Sequence, residues 1–143
     1  MTPITLEQAQ TIIAGALAKG AVEDMNGLCV VVLDAGGRII ASVRQDGVSF
    51  GRIDVAHAKA FGAISIGLNS RAIEQMAIDR PHFIGGVSGA IGGALVPVAG
   101  GVIVLDGEAI RVGAVGISGD TSDNDELAAV AGIESAGLRP LDS

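Results

Sequence analysis

Tryptophan and tyrosine are absent from this chain and phenylalanine occurs only three times. No aromatic platform is therefore available on which single-stranded bases could stack. Basic charge is also scarce. Nine Lys and Arg face sixteen Asp and Glu, for a formal net charge of −7, and the basic residues never cluster. Nucleic-acid binding needs a basic footprint, and this chain has none. There is one cysteine, Cys29, so neither an internal disulfide nor a thiolate metal cluster can form. Cys29 lies in the apolar run from Leu28 to Leu33 and reads as a small buried hydrophobe rather than a nucleophile. The N-terminus, Met1 to Glu7, has no basic region and no long apolar core, which argues against a signal peptide and for a cytoplasmic location.

What the chain does have is apolar bulk. At 143 residues it is the size of one domain, read here as a single unit over 1–143. Its hydrophobic fraction is 49%, its mean hydropathy +0.54 and its charged fraction 17%, where about 25% charged is usual. A small domain cannot enclose all of that surface by itself, so a homo-oligomer is expected to cover part of it. The segment from Gly85 to Leu105 carries no charge and is long enough to span a bilayer. Its glycines and Pro97 make it a poor helix, so a membrane span is not expected.

Thr5 and Gln8 make a capping box, and Leu6, Ala9, Ile12, Ile13, Ala16 and Leu17 follow at helical spacing. Leu28 to Leu33 predicts a strand, Asp34 to Gly37 a hairpin turn, and Arg38 to Arg44 the returning strand. A helix is expected from about Ile53 to Ile66. A shorter one, capped by Ser70, should run to Asp79 and be stopped by Pro81. Residues 82–101 read as an irregular glycine-rich segment. Val102 to Leu105 and Ile110 to Ile117 form a second hairpin around Asp106-Gly107, and Ser122 caps a last helix ending near Gly137. Two hairpins among helices imply an α/β fold of α+β type, an antiparallel sheet flanked by helices.

Arg44, Asp46, Arg52, Asp54, His57 and Lys59 bracket the central helix. Arg44, at a strand end, can grip a carboxylate with two parallel hydrogen bonds. Lys59 lies between Ala58 and Ala60, and an ammonium held among small apolar residues is a reactive one. The plainer alternatives are that Arg44 pairs with Asp46 or Asp54 and that Lys59 sits on a solvated face. His57 and His82, the only histidines, can each ligate a haem iron or act as a base, or be an ordinary surface and loop imidazole. Gly100-Gly101 lets backbone approach a ligand or a neighbouring element closely. No phosphate-binding glycine motif is present. Asp120, Asp123, Asp125 and Glu126 lack an EF-hand pattern and read as acids at a helix start.

Several segments together resemble the GlcG/HbpS family. They are Val43-Arg44-Gln45-Asp46-Gly47, Ile53-Asp54-Val55-Ala56, Lys59-Ala60, Pro97 to Val102, Val112 to Gly119, and Asp125-Glu126-Leu127-Ala128. They occur in the family's order over nearly the whole chain. The resemblance implies a profilin-like fold, assembly into dimers or larger species, and haem as a cofactor for some members. The chain departs from the pattern at Phe61-Gly62-Ala63, where an aromatic and a threonine are usual, and at Ile103, where proline is. Three functions follow as expectations. The first is a pocket for haem or a similar small anionic molecule, bound or degraded there. Arg44 would hold its carboxylate, Lys59 would add a second positive charge, His57 would serve as ligand or base, and Gly100 and Gly101 would form the wall. The second is a cofactor-independent isomerase, tautomerase or hydrolase of a small organic acid, using Lys59 or a histidine for proton transfer and Arg44 as anchor. The third is a structural assembly subunit.

Overall fold

At the N-terminus of helix α1 (Leu6–Val22) the Thr5 hydroxyl accepts from the Gln8 N–H at 3.0 Å, and the Gln8 side chain accepts from the Thr5 N–H at 3.0 Å. The expected capping box is formed. The computed structural model describes residues 2–142, and in it the helix leads into strand β1 (Cys29–Asp34) and its partner β2 (Ile39–Arg44). The turn between them is fixed by the Asp34 carboxylate, which accepts from the N–H groups of Gly36 and Arg38. Helices α2 (Gly51–Ile66), α3 (Ser70–Asp79) and α4 (Pro81–Ala90) follow, then β3 (Gly101–Leu105), β4 (Arg111–Ser118), α5 (Ser122–Ser135) and a short β5 (Arg139–Pro140).

The sheet has the order β2-β1-β4-β3-β5 and every described pairing in it is antiparallel. Alternation along the strands divides the core in two. On one face Val30, Val32, Val102, Val104, Val115 and Ile117 pack against Ile12, Ala16, Ala129 and Ile133 of α1 and α5. On the other, Cys29, Val31, Leu33 and Ala114 pack against Ala56 and Ala60 of α2. The small residues of α2 let it lie almost on the strands. A side chain at Gly116 would strike the Ala56 carbonyl, and one at Gly101 the Lys59 carbonyl. Arg111 donates to the carbonyl of Gly67 just beyond the far end of α2, so the helix runs antiparallel to β4. No helix among the described residues is long and apolar enough to cross a membrane.

Three expectations are corrected. Residues 82–90, read as the start of an irregular segment, are helical: Pro81 both ends α3 and opens α4 at a position where its missing N–H costs nothing. Ile84 alone in α4 is buried. Thr121, not Ser122, caps α5, accepting from the Asn124 N–H at 3.2 Å. Asn69, not Ser70, occupies the cap position of α3, and its side chain is used elsewhere. Its amide accepts from the Ile103 N–H at 2.8 Å and donates to the Leu141 carbonyl, while Ser70 Oγ accepts from the Gly101 N–H at 2.7 Å. The two residues thus serve the edge of β3.

Candidate functional site

Lys59 is 2% exposed and projects from the sheet-facing side of α2. Its Nζ donates to the Ile117 carbonyl at 2.9 Å and to Asp125 Oδ2 at 3.1 Å. The other Asp125 oxygen accepts from the Asp120 N–H at 3.0 Å. Burial pushes the Asp125 carboxyl above the usual carboxylate range, and the Lys59 charge beside it offsets only part of that. Asp120 goes the other way. Hydrogen bonds from the Asn124 side chain and from the backbone N–H groups of Asn26 and Thr121 hold it below the ordinary value. Gly100 and Gly101, expected as the wall of a ligand pocket, pack on Lys59 itself, the first on its side chain and the second on its carbonyl.

The acidic run at the start of α5 is similarly committed. Asp125 faces inward to Lys59, whereas Arg71 on α3 binds Asp123 at 2.6 Å and Glu126 at 3.0 Å. Those two bonds raise the Arg71 guanidinium above its ordinary value. Sequence reasoning missed the partnership of Lys59 and Asp125, because an acid in the first turn of a helix looks the same whether it faces water or the core.

His57 lies on the outer side of α2, half-buried, with its ring stacked on Phe61 at 5.6 Å between centroids and 22° between planes. It lines an open cleft of about 410 Å³ with Asp54, Val55, Ala58, Gly92, Gly93, Ala94 and Val96. That is within the size range of small-molecule sites. Two positions along a helix rotate a side chain by about 200°, so His57 and Lys59 look in nearly opposite directions. Arg44 ends β2 directly across from Cys29. Its Nη1 donates to the Val48 carbonyl at 2.7 Å, and the described ion pairs do not join it to Asp46 or Asp54. Arg44 lines a separate groove with Leu17, Met25, Val43, Gln45 and Asp46. Burial raises the Cys29 thiol, against the nearby charges of Arg44 and Arg52. His82 is exposed in the first turn of α4 and does not line the His57 cleft. The expected site residues therefore fall into three places: Lys59 with Gly100 and Gly101 in the core, His57 in a cleft, and Arg44 at a sheet end. Among the described residues no cluster of three His, Cys, Asp or Glu could hold a metal ion.

Comparison with known proteins agrees with this architecture. The solved structure of a PduOC:heme complex superposes with a TM-score of 0.86 at 18% identity, covering 99% of this chain and 100% of that one. Protein ORFY of Klebsiella pneumoniae gives 0.84 at 25% identity over 96% of this chain and 93% of its own. A double mutant of HbpS from Streptomyces reticuli gives 0.79 at 24% identity over 94% and 87%. No curated protein matches the chain. The family model described as "Haem degrading protein HbpS-like" matches residues 4–134. With nearly its whole length matched by that model and its fold shared with HbpS, this chain belongs to the HbpS-like family.

Proposed function

We propose that this chain binds haem, or a flat, anionic, partly apolar molecule of that kind, in the His57 cleft. The observation that carries the reading is the placement of His57 itself: a half-buried imidazole, braced by Phe61, in a cleft whose other lining residues are apolar or glycine apart from Asp54. The residues suit the group in their chemistry. Imidazole nitrogen is a good ligand for iron. Val55, Ala58, Ala94 and Val96 offer apolar contact, and at Gly92 and Gly93 no side chain limits approach. Bound haem would supply a redox-active iron. The protein's part is to hold that group beside His57, with Phe61 fixing the ring's tilt. Arg44 lines a separate groove, so this reading assigns it no contact with a ligand in the His57 cleft. Lys59 contributes by fixing the helix that carries His57 rather than by touching the ligand.

The alternative of a small-acid enzyme has less support. With the Lys59 ammonium turned onto Ile117 and Asp125, the proton transfer of that enzyme would rest on His57 alone, and its anchor Arg44 lines a different groove. The buried, unpaired thiol of Cys29 suits a reducing compartment such as the cytoplasm. Exposed Phe50 and Ile78, 81% and 67% accessible, suit a second copy as their cover.

A haemin titration followed in the Soret band tests the site. A saturable, stoichiometric shift is expected for the wild type and for His82→Ala, and its loss for His57→Ala. Bleaching of the band with time in the presence of a reductant and oxygen would mark degradation beyond binding. No shift, or one indifferent to His57→Ala, would sink the reading.

A further inference from the structure

Asp54 is the one acidic residue in the lining of the His57 cleft, and no Lys or Arg lines it. It precedes His57 by three positions on α2. Residues at that spacing share one face of a helix, with about 5–6 Å between their Cβ atoms. Asp54 is exposed, and the described ion pairs join it neither to His57 nor to a Lys or Arg. The two cations expected near a ligand are elsewhere. The Lys59 ammonium is held in the core by Ile117 and Asp125, and the groove lined by Arg44 shares no residue with this cleft. The rest of the chain adds negative charge, with a formal net value of −7. An acid in the first turn of a helix is favoured by the dipole, which accounts for its presence there. The consequence for a ligand remains. A carboxylate brought close to His57 meets an uncompensated negative charge and finds no cation to receive it.

We propose that Asp54 sets the specificity of this cleft: it repels carboxylate from the neighbourhood of His57, so the ligand enters by an uncharged edge and keeps its carboxylates outside. The inference rests on the haem reading of the cleft and adds which part of the ligand faces the protein. Haem meets the requirement, because its propionates share one edge of the ring and the opposite edge is hydrocarbon. Val55, Ala58 and Ala94 suit that edge. A porphyrin with a carboxylate on every pyrrole has no such edge, and whichever way it turns it brings one toward Asp54. The cleft is open, so this repulsion is screened by salt, over about 8 Å at physiological ionic strength. It discriminates between ligands more than it limits affinity, because a ligand that keeps its carboxylates distant hardly feels it.

Equilibrium titrations with haemin and with iron coproporphyrin, which carries a propionate on each pyrrole, test it in the wild type, Asp54→Asn and Asp54→Glu at low and at physiological salt. The wild type should bind haemin the more tightly, and the preference should shrink as salt is raised. At low salt Asp54→Asn should bind iron coproporphyrin at least about threefold more tightly than the wild type does, with a smaller gain for haemin. Asp54→Glu keeps the charge and should keep the preference. Melting temperatures of the ligand-free variants separate these effects from loss of the fold. An unchanged preference in Asp54→Asn would overturn the inference and leave haem binding standing. Equal weakening of both porphyrins in Asp54→Asn would overturn it too, since the carboxylate would then be a support for His57 rather than a filter. A wild type that binds neither porphyrin would overturn the haem reading and this inference with it.

Discussion

An ammonium group closed inside a small protein needs acceptors, and Lys59 has the Ile117 carbonyl and the Asp125 carboxylate. Removing one member of such a pair leaves the other uncompensated, which costs about 3–5 kcal/mol. Replacing both by apolar residues of similar size is often close to neutral. Asp125→Asn is therefore expected to lower stability by about that amount, and Lys59→Met to do so as well. Lys59→Met combined with Asp125→Leu should recover most of the loss. Urea unfolding of the four proteins closes the cycle. Single losses below about 1 kcal/mol would mean that the pair is solvated, as exposed ion pairs are. At this scale the sequence was legible only in part. Ala58, Lys59 and Ala60 suggested a buried lysine, but its partner is sixty-six positions away, and no local pattern marks a contact of that separation. Arg44 shows the same limit: pairing with Asp46 or Asp54 was plausible from spacing, and the loop carbonyl of Val48 takes the bond.

Helices and strands depend on where backbones can touch. The seat of α2 on β4 needs the absence of a side chain at Gly116, where a Cβ would strike the Ala56 carbonyl. Gly116→Ala must push the helix outward, and overpacking of this kind costs about 1–3 kcal/mol. Because His57 follows Ala56 directly, the same change should weaken haemin binding as well as lower the melting temperature. Gly107→Ala, where an added Cβ meets nothing within 4 Å, serves as the comparison and should leave haemin affinity as it is. Equal affinities in the two variants would detach the cleft from the seat of α2. The elements that the sequence announced are those with turn or cap chemistry: the box at Thr5, the Asp34 turn and the Asp106 turn. Helix α4 was hidden because glycine is the usual sign of a loop. Strand β5 was hidden because two residues, Arg139 and Pro140, cannot show a period.

For the whole molecule, the order of helices and hairpins was enough to give an antiparallel sheet between helices, since short connections leave few other arrangements. The sheet order, with β4 inserted between β1 and β3, depends on pairings between distant strands that composition does not encode. Stability against pH is also a property of the whole, and three carboxyls set its shape. Asp106, bonded by the N–H groups of Ile110 and Glu108, and Asp120 both lie below the ordinary value of 3.8. Between that value and their folded ones the unfolded chain binds more protons, so stability is lost as pH falls through the window. Asp125 lies above 3.8 because it is buried. Between 3.8 and its folded value the native state binds more protons, so stability is lost as pH rises there. The two windows do not overlap. Urea midpoints measured from about pH 3 to about pH 8 should therefore pass through a maximum on the acid side of neutrality and fall below about pH 4. Asp120→Asn should flatten the acid limb and leave the other unchanged. In Lys59→Met with Asp125→Leu the fall toward neutral pH should disappear. A midpoint that declined steadily from neutrality to pH 4 in the wild type would show that the Lys59 charge outweighs burial at Asp125. The buried pair would then be a source of stability at neutral pH rather than a burden on it.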